Sequence, residues 1–226
     1  MYKIKLFSHE NLNKLINICE NENKWSEKNH GYQILTTRLC HISDNFASHV
    51  ENIIAKHLLS LNIGFRGFLD LFIIKYTPGK LSSLPWHIDP SPLSFVCVLN
   101  DNFTGGGTEF RDLNENISQE KGYMILHDGQ EYHRAKCITK GVRYVLVGFL
   151  WNDLVSKLKN WIDKDHKRSS LLKYMANDYS DMLEEEINKK GYFGRRNLYE
   201  YKKMNKMSPE RSKKILEKIG IRFKQN

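Results

Sequence analysis

The stretch Val142–Leu150 reads V-R-Y-V-L-V-G-F-L and is the clearest of four short β-rich runs in the middle of the chain. Aromatic and β-branched residues dominate these runs, and turn-forming residues separate them. The other three runs are Phe68–Tyr76, Leu93–Leu99 and Tyr123–His127. Because no helical pattern interrupts this part of the chain, the sequence predicts an all-β sandwich or barrel.

The residues before these runs follow a helical pattern from about residue 8 to residue 62. Ser8 and Ser48 can each accept a hydrogen bond from the first turn of a helix. Apolar residues recur at helical spacing after each serine, as Leu12, Leu15 and Cys19 do after Ser8. The sequence therefore predicts two helices on the amino-terminal side of the β-rich segment.

Three zones follow from these patterns. Residues 1–62 are predicted to form a helical support, residues 63–152 the β core, and residues 153–226 a basic helical extension. In that extension, Ser208-Pro209 predicts the start of a last helix. The extension holds 19 basic and 11 acidic side chains, against 16 and 15 in the first 152 residues. Clustered basic residues suit an acidic partner such as nucleic acid, but a solvated helical surface is the favoured interpretation.

Composition limits the class of protein. At 226 residues with 40% hydrophobic and 27% charged residues, the chain is long enough for one buried core and a small appendage. No apolar run approaches the roughly 20 residues that a membrane span needs. The first residues lack a secretion signal, and the four cysteines have no metal-binding or disulfide spacing. These features predict a cytoplasmic protein from a reducing compartment, and they leave the oligomeric state open.

A pair of metal-ligating residues lies in the stretch Trp86-His87-Ile88-Asp89. In an extended strand, residues two apart point to the same face, so His87 and Asp89 can converge on one point. Two imidazoles and one carboxylate leave coordination positions open, which is typical of non-haem Fe(II) oxygenases. The similar pair His49 and Glu51 lies in a helical pattern, where residues two apart diverge, and we reject it.

The third ligand must come from the rest of the β-rich segment, where His127 and His133 are the candidates. Ten residues after His133 comes Arg143, in the last predicted strand, whereas Cys137 follows His127 at that distance. A guanidinium at this place could hold a carboxylate of a co-substrate through two parallel hydrogen bonds. This spacing favours His133 as the ligand, and His127 is interpreted as a histidine of the barrel wall.

The order His87-x-Asp89, His133 and Arg143 resembles the 2-oxoglutarate- and Fe(II)-dependent dioxygenases of the prolyl and lysyl hydroxylase group. The segment Tyr76-x-x-Gly79 resembles that group's co-substrate tyrosine motif. Further similarities are the Gly-Gly-x-x-x-Phe signature and the closing strands of that group, matched by Gly105-Gly106-Gly107-Thr108-Glu109-Phe110, Gly122-Tyr123 and Gly141-Val142-Arg143-Tyr144. The resemblance extends from Tyr76 to Trp151.

The resemblance implies a double-stranded β-helix, or jelly roll, with Fe(II) held by His87, Asp89 and His133. It also implies that Arg143 and Tyr76 bind 2-oxoglutarate and that O2 is the second co-substrate, and it leaves ascorbate dependence open. Some members place a second tyrosine in the strand after the His-x-Asp pair. Because Phe95–Leu99 contains none, Thr108 is a candidate hydroxyl beside the guanidinium. The implied substrate is a prolyl or lysyl side chain of a protein or peptide.

Two other functions stay open at this point. The first uses the same metal centre on a nucleobase, with nucleic acid bound by the basic extension. Part of that extension, from Asn197 to Phe223, faintly resembles the helical modules associated with helicases, although it lacks their tryptophans. The second is a jelly-roll binding module without catalytic activity.

Overall fold

The computed structural model describes residues 1–29, 32–89, 91–113, 115–118, 120–152, 188–192 and 194. Its helices are α1 (His9–Glu22), α2 (Leu39–Ile42) and α3 (Asp44–Ser60). Its strands are β1 (Tyr2–Lys5), β2 (Ser26–Asn29), β3 (Tyr32–Arg38), β4 (Phe65–Tyr76), β5 (Leu84–His87), β6 (Leu93–Val98), β7 (Phe103–Gly105), β8 (Thr108–Phe110), β9 (Glu115–Ile117), β10 (Tyr123–Asp128), β11 (His133–Ala135), β12 (Ile138–Gly141) and β13 (Arg143–Asn152).

The strands form two facing antiparallel sheets and a small third one. The large sheet has the order β1-β10-β6-β13-β4-β3-β2, the facing sheet β5-β11-β8-β9, and the small sheet β12-β7. Strands consecutive in sequence, such as β4, β5 and β6, alternate between the two facing sheets. This alternation is the winding of a double-stranded β-helix, so the predicted fold class is confirmed.

Both faces of the central strands β4, β6, β10 and β13 are largely buried, and two apolar clusters result. On the inner face, Phe72 and Ile74 of β4 pack with Val145 and Val147 of β13 and with residues of the facing sheet. On the outer face, the alternate residues pack under the helices, Leu71 among them. Burial on both faces explains why these strands read as continuous apolar runs in the sequence.

The four long runs correspond to β4, β6, β10 and β13, and each prediction is confirmed to within three residues at either end. None of the four runs contains a strand of the facing sheet or of the small sheet. Strands such as β8 and β11 contain only three residues each. A strand of that length has too few positions for a period of two to be recognised.

The two predicted helices exist, but only one begins where the sequence indicated. Ser8 caps α1, and its hydroxyl accepts a hydrogen bond from the Asn11 amide at 3.5 Å. The N-cap of α3 is Ser43, which accepts from the Phe46 amide, so the prediction of Ser48 as the cap is wrong. Ser48 lies inside the helix. No helix in the described ranges is long and apolar enough to span a bilayer.

The prediction of a helical support over residues 1–62 needs correction. This zone also contributes β1 to one edge of the large sheet and β2 and β3 to the other. In β3, Thr36 and Thr37 are buried and pair with Ile74 and Ile73 of β4. β3 was not predicted because helical spacing lies on both sides of it. It is stabilised by pairing with β4, a segment more distant in the chain.

The predicted basic extension and its Ser208-Pro209 helix lie almost wholly outside the described residues. Of residues 153–226, the structure describes only 188–192 and 194. In this short piece, the Tyr192 ring lies 5.9 Å from the rings of both Phe65 and Phe68. The Tyr192 hydroxyl also hydrogen-bonds Asn52 of α3. This piece therefore packs on the outer face of the large sheet.

We expect Gly148→Ala to destabilise the core of the large sheet. A Cβ at Gly148 of β13 would lie 2.0 Å from Cε1 of Phe95, a buried ring of the neighbouring strand β6. Overpacking of this kind costs about 1–3 kcal/mol of unfolding free energy. Urea denaturation measures the loss. In a double-mutant cycle, Phe95→Leu should recover part of it, and strict additivity of the two changes would contradict the assigned contact.

Candidate metal centre and co-substrate pocket

The fold brings His87, Asp89 and His133 together. His87 ends β5 and is the register partner of His133, which begins the neighbouring strand β11. Their ring centroids are 4.3 Å apart. Asp89 follows two residues after His87, and one donor atom from each of the three residues lies within 4.8 Å of the others. The structure thus collects the three residues predicted as ligands.

Backbone carbonyls orient both imidazoles. The Nδ1 atom of His87 lies 2.8 Å from the Pro85 carbonyl oxygen, and that of His133 lies 2.9 Å from the Glu131 carbonyl oxygen. A carbonyl oxygen only accepts, so Nδ1 carries the hydrogen and donates it in each ring. In the neutral ring, Nε2 then keeps its lone pair, as a metal ligand must.

The two Nε2 atoms point toward the Asp89 carboxylate. His87 Nε2 is 3.7 Å from Oδ1 of Asp89, and His133 Nε2 is 3.6 Å from Oδ2. The Nε2 atoms of the two imidazoles therefore face a carboxylate, an arrangement that a divalent cation would stabilise. Nitrogen and oxygen donors in a two-histidine, one-carboxylate set fit Fe(II) and leave coordination positions open.

Asp89 is supported by serines that sequence reasoning missed. The Ser94 hydroxyl donates a hydrogen bond to the Asp89 carboxylate, and the Ser91 hydroxyl lies 2.7 Å from Ser94 Oγ. The Asp89 amide donates to the Gly129 carbonyl at 2.8 Å. The sequence did contain a signal for a polar role of Ser94. This serine interrupts the apolar run of β6 on the face that it shares with Val96 and Val98.

The Asp89 carboxylate is 5% exposed yet favours its charged form. Burial raises the pKa of Asp89, but the three imidazoles of His133, His127 and His87 and the Ser94 hydrogen bond together outweigh burial and lower it. The carboxylate is therefore ionised near neutral pH, the state in which it can bind a cation.

Arg143 forms the second predicted element of the site. It begins β13, pairs with Tyr76 of β4 and is only 1% exposed. Its guanidinium carbon lies 5.5 Å from the Tyr76 ring centroid and 5.9 Å from that of Phe103. Within the described part of the chain, no carboxylate forms an ion pair with Arg143, and its Nε has no hydrogen-bond partner.

This buried guanidinium is an anion-binding element. Burial lowers the pKa of Arg143, but a guanidinium stays protonated in proteins. Burial also raises the pKa of Tyr76 to about 12, so the Tyr76 hydroxyl keeps its proton and can donate a hydrogen bond. An uncompensated buried charge is costly, and a carboxylate group of a bound co-substrate would compensate it.

The triple glycine before β8 shapes this pocket. Gly105, Gly106 and Gly107 all have positive φ, a conformation that glycine adopts without steric cost. A Cβ on Gly106 would lie 3.3 Å from Cδ of Arg143, and one on Gly107 would lie 2.3 Å from Oδ1 of Asn116. A side chain at Gly106 would therefore crowd the arginine.

Two further sequence interpretations can be compared with the structure. Thr108 is buried on β8, two residues before Phe110, whose ring stacks on His133 with centroids 5.7 Å apart. Thr108 therefore shares the inner face, and its contact with a co-substrate stays a prediction. The rejected pair His49 and Glu51 lies on α3, outside the cluster of candidate ligands.

Comparison with known proteins gives sequence relatives and fold relatives. No family model matches the chain. It is 30% identical over 166 residues to human procollagen-lysine,2-oxoglutarate 5-dioxygenase 2, covering 64% of this chain and 22% of that protein. It is 29% identical over 172 residues to the procollagen lysyl hydroxylase and glycosyltransferase of Acanthamoeba polyphaga mimivirus, covering 66% and 19%. The aligned part of the chain thus spans about a fifth of the length of these relatives.

A solved prolyl-4-hydroxylase from Pseudomonas putida shares the fold, with a TM-score of 0.52 and 13% identity over 67% of this chain and 91% of that one. Sequence relatives and fold relatives thus point to the same superfamily, whose cofactor and co-substrates are Fe(II), 2-oxoglutarate and O2. The two-histidine, one-aspartate donor set fits that iron. In sequence and in fold together, the chain is similar to the 2-oxoglutarate- and Fe(II)-dependent dioxygenases, the group that includes the prolyl 4-hydroxylases and the procollagen lysyl hydroxylases.

Proposed function

We propose that this protein hydroxylates a lysyl or prolyl side chain of a protein or peptide, coupled to decarboxylation of 2-oxoglutarate to succinate and CO2. In this proposal, His87, Asp89 and His133 bind Fe(II), and Arg143 binds the far carboxylate of 2-oxoglutarate with Tyr76 and Thr108. The observation that carries it is the mutual approach of the three donors within 4.8 Å, with the lone pairs of both histidines facing Asp89.

The iron and 2-oxoglutarate supply oxidising power that no protein side chain has. The chain's own residues hold and orient the reactants. His87 and His133 are immobilised by their Nδ1 hydrogen bonds, and the Ser94 hydroxyl holds the carboxylate of Asp89. Arg143 offers a planar fork that suits a carboxylate, and its burial strengthens the attraction.

The inner face between the iron site and Arg143 is apolar. Val96 and Val98 of β6 and Val145 and Val147 of β13 pair across the sheet and face this cavity. Such a wall excludes water from the reacting groups and strengthens their electrostatic contacts.

The substrate class rests on the relatives. Proteins named for lysyl hydroxylation share about 30% identity with this chain. One fold relative is a prolyl hydroxylase in complex with a peptide fragment, from Trichoplax adhaerens. These names favour a protein or peptide substrate. Neither alternative, a nucleobase as substrate or a module without catalysis, receives support from the relatives.

Mass spectrometry of candidate substrates tests this function. The Fe(II)-loaded full chain is incubated with 2-oxoglutarate, O2 and peptides that differ only in a central lysine, proline or alanine, and with an oligonucleotide. We expect succinate release and the gain of one oxygen atom on the lysine or proline peptide. Oxygen gain on the oligonucleotide alone would establish the nucleobase alternative. No succinate with iron bound would contradict the proposed chemistry.

A further inference from the structure

Arg143 lies at the start of β13, at a level where the neighbouring strand β6 has already ended. On the β4 side, Arg143 pairs with Tyr76. On the other side, the last register pair with β6 joins Val145 to Val98, and the chain beyond β6 turns toward β7. The backbone of β13 around Arg143 therefore needs other hydrogen-bond partners on this side.

The side chain of Asn100 supplies these partners. Its Nδ2 donates to the Val142 carbonyl oxygen at 2.6 Å, and its Oδ1 accepts from the Tyr144 amide at 2.8 Å. A carbonyl oxygen only accepts and a backbone N–H only donates, so the two contacts fix which side-chain atom is the nitrogen. One primary amide thus imitates the peptide group of a neighbouring strand, and it does so at the residues before and after Arg143.

Phe103, at the other end of the same turn, contacts the Arg143 side chain. It begins β7 and pairs with Gly141 of β12, two residues before Arg143. Its ring centroid lies 5.9 Å from the guanidinium carbon, within the range of a cation–π contact. A Cβ built on Gly106 would lie 3.3 Å from both Cε2 of Phe103 and Cδ of Arg143, so the ring and the arginine meet at that glycine. The turn therefore contacts the arginine at its backbone and at its side chain.

We propose that the turn between β6 and β7 positions the co-substrate arginine, with Asn100 holding its backbone and Phe103 its guanidinium. The inference rests on the proposed function, in which Arg143 binds the far carboxylate of 2-oxoglutarate. A guanidinium binds a carboxylate most strongly when two parallel hydrogen bonds form, and holding it in one orientation beforehand lowers the entropic cost of binding. Asn100 and Phe103 lie outside the proposed metal centre and act through Arg143, so they are positioning residues.

Titration of the Mn²⁺-loaded full chain with 2-oxoglutarate tests the inference. Asn100→Leu keeps a side chain of similar volume but removes both hydrogen bonds. We expect a rise of about 10-fold in the Kd for 2-oxoglutarate, the order that the loss of one hydrogen bond produces. The Kd for Mn²⁺, measured separately, should not change. Phe103→Leu should also weaken 2-oxoglutarate binding, whereas Phe103→Tyr keeps an aromatic ring and should bind it nearly normally.

A shorter ligand separates the positioning of Arg143 from a general effect on the pocket. 2-Oxobutanoate has the same carboxylate and keto group beside each other but lacks the far carboxylate. Its Kd should therefore be the same for the unmodified chain, Asn100→Leu and Phe103→Leu. The matched control is Asp101→Ala, which removes an exposed side chain of the same turn that pairs with Lys121, and it should leave every Kd unchanged.

The remaining outcomes each decide the question. If Asn100→Leu and Phe103→Leu bind 2-oxoglutarate like the unmodified chain while Arg143→Met does not, this inference is wrong and the proposed function survives. If Arg143→Met also binds normally, the proposed role of the arginine itself is wrong. Equal losses for 2-oxobutanoate or for Mn²⁺ would reduce the effect to a general loss of structure and would overturn the inference. Circular dichroism checks folding, and Asn100→Ala replaces Asn100→Leu with the same expected results if the leucine variant does not fold.

Discussion

Replacement of Asp89 by alanine should abolish stoichiometric Fe(II) binding and, with it, succinate formation. Asp89 supplies the only carboxylate among the donors that lie within 4.8 Å of one another in the described residues. Without it, only imidazoles remain, and they supply no negative charge to the site. The loss should exceed the about 10–100-fold that removal of a partner of a metal ligand costs. Equilibrium binding of Fe(II) under anaerobic conditions measures it.

The matched control is His49→Ala on α3. His49 belongs to the rejected His-x-Glu pair and is exposed, so its replacement should change neither iron binding nor turnover. The free energy of unfolding of Asp89→Ala should fall much less than its iron affinity, because removing the carboxylate also removes the cost of burying it. Normal iron affinity in Asp89→Ala, or iron loss in His49→Ala, would show that the metal site lies elsewhere.

Replacement of Arg143 by methionine should weaken 2-oxoglutarate binding while leaving iron binding nearly unchanged. Truncating one partner of a buried charged pair costs about 2–5 kcal/mol, or about 30-fold to several thousand-fold in affinity. Methionine fills a similar volume without the charge. Because Arg143 is buried without a carboxylate partner in the described residues, the variant should be at least as stable as the unmodified chain.

Separate titrations of 2-oxoglutarate and of Mn²⁺ test this expectation. Arg143→Lys retains the charge but not the planar fork, so its affinity for 2-oxoglutarate should be intermediate. Arg111→Met removes an exposed arginine that lies over the Tyr132 ring, and should bind both ligands normally. Equal losses of metal and 2-oxoglutarate affinity in Arg143→Met would contradict the assigned role.

The order and spacing of a few polar residues were sufficient to predict the candidate site. His87 ends β5 and Asp89 follows two residues later, and the position of Arg143 ten residues after His133 distinguished that histidine from His127. These features are local, since a strand places residues two apart on one face whatever the remainder of the chain does. The structure brings the three predicted ligands together and buries the arginine beside Tyr76.

The residues that hydrogen-bond to the predicted ligands could not be predicted from spacing in the same way. Ser94 lies on β6 of the large sheet, whereas Asp89 follows β5 of the facing sheet, and Gly129, which accepts from the Asp89 amide, follows β10. The interpretation of His127 as a wall residue followed from its lack of a basic residue ten positions later. Sequence spacing contains no information about where its Nε2 points.

The long apolar strands and the ligand order were determined by the sequence alone, because alternation and local spacing express themselves within a single segment. Tertiary structure decided the rest. The amino-terminal strands β1 and β3, the three-residue strands β8 and β11 of the facing sheet and the approach of His127 to Asp89 all depend on contacts between segments far apart in the chain. Such pairing is stabilised by side-chain contacts between strands, and the residue pattern within one segment does not show which strand it will pair with.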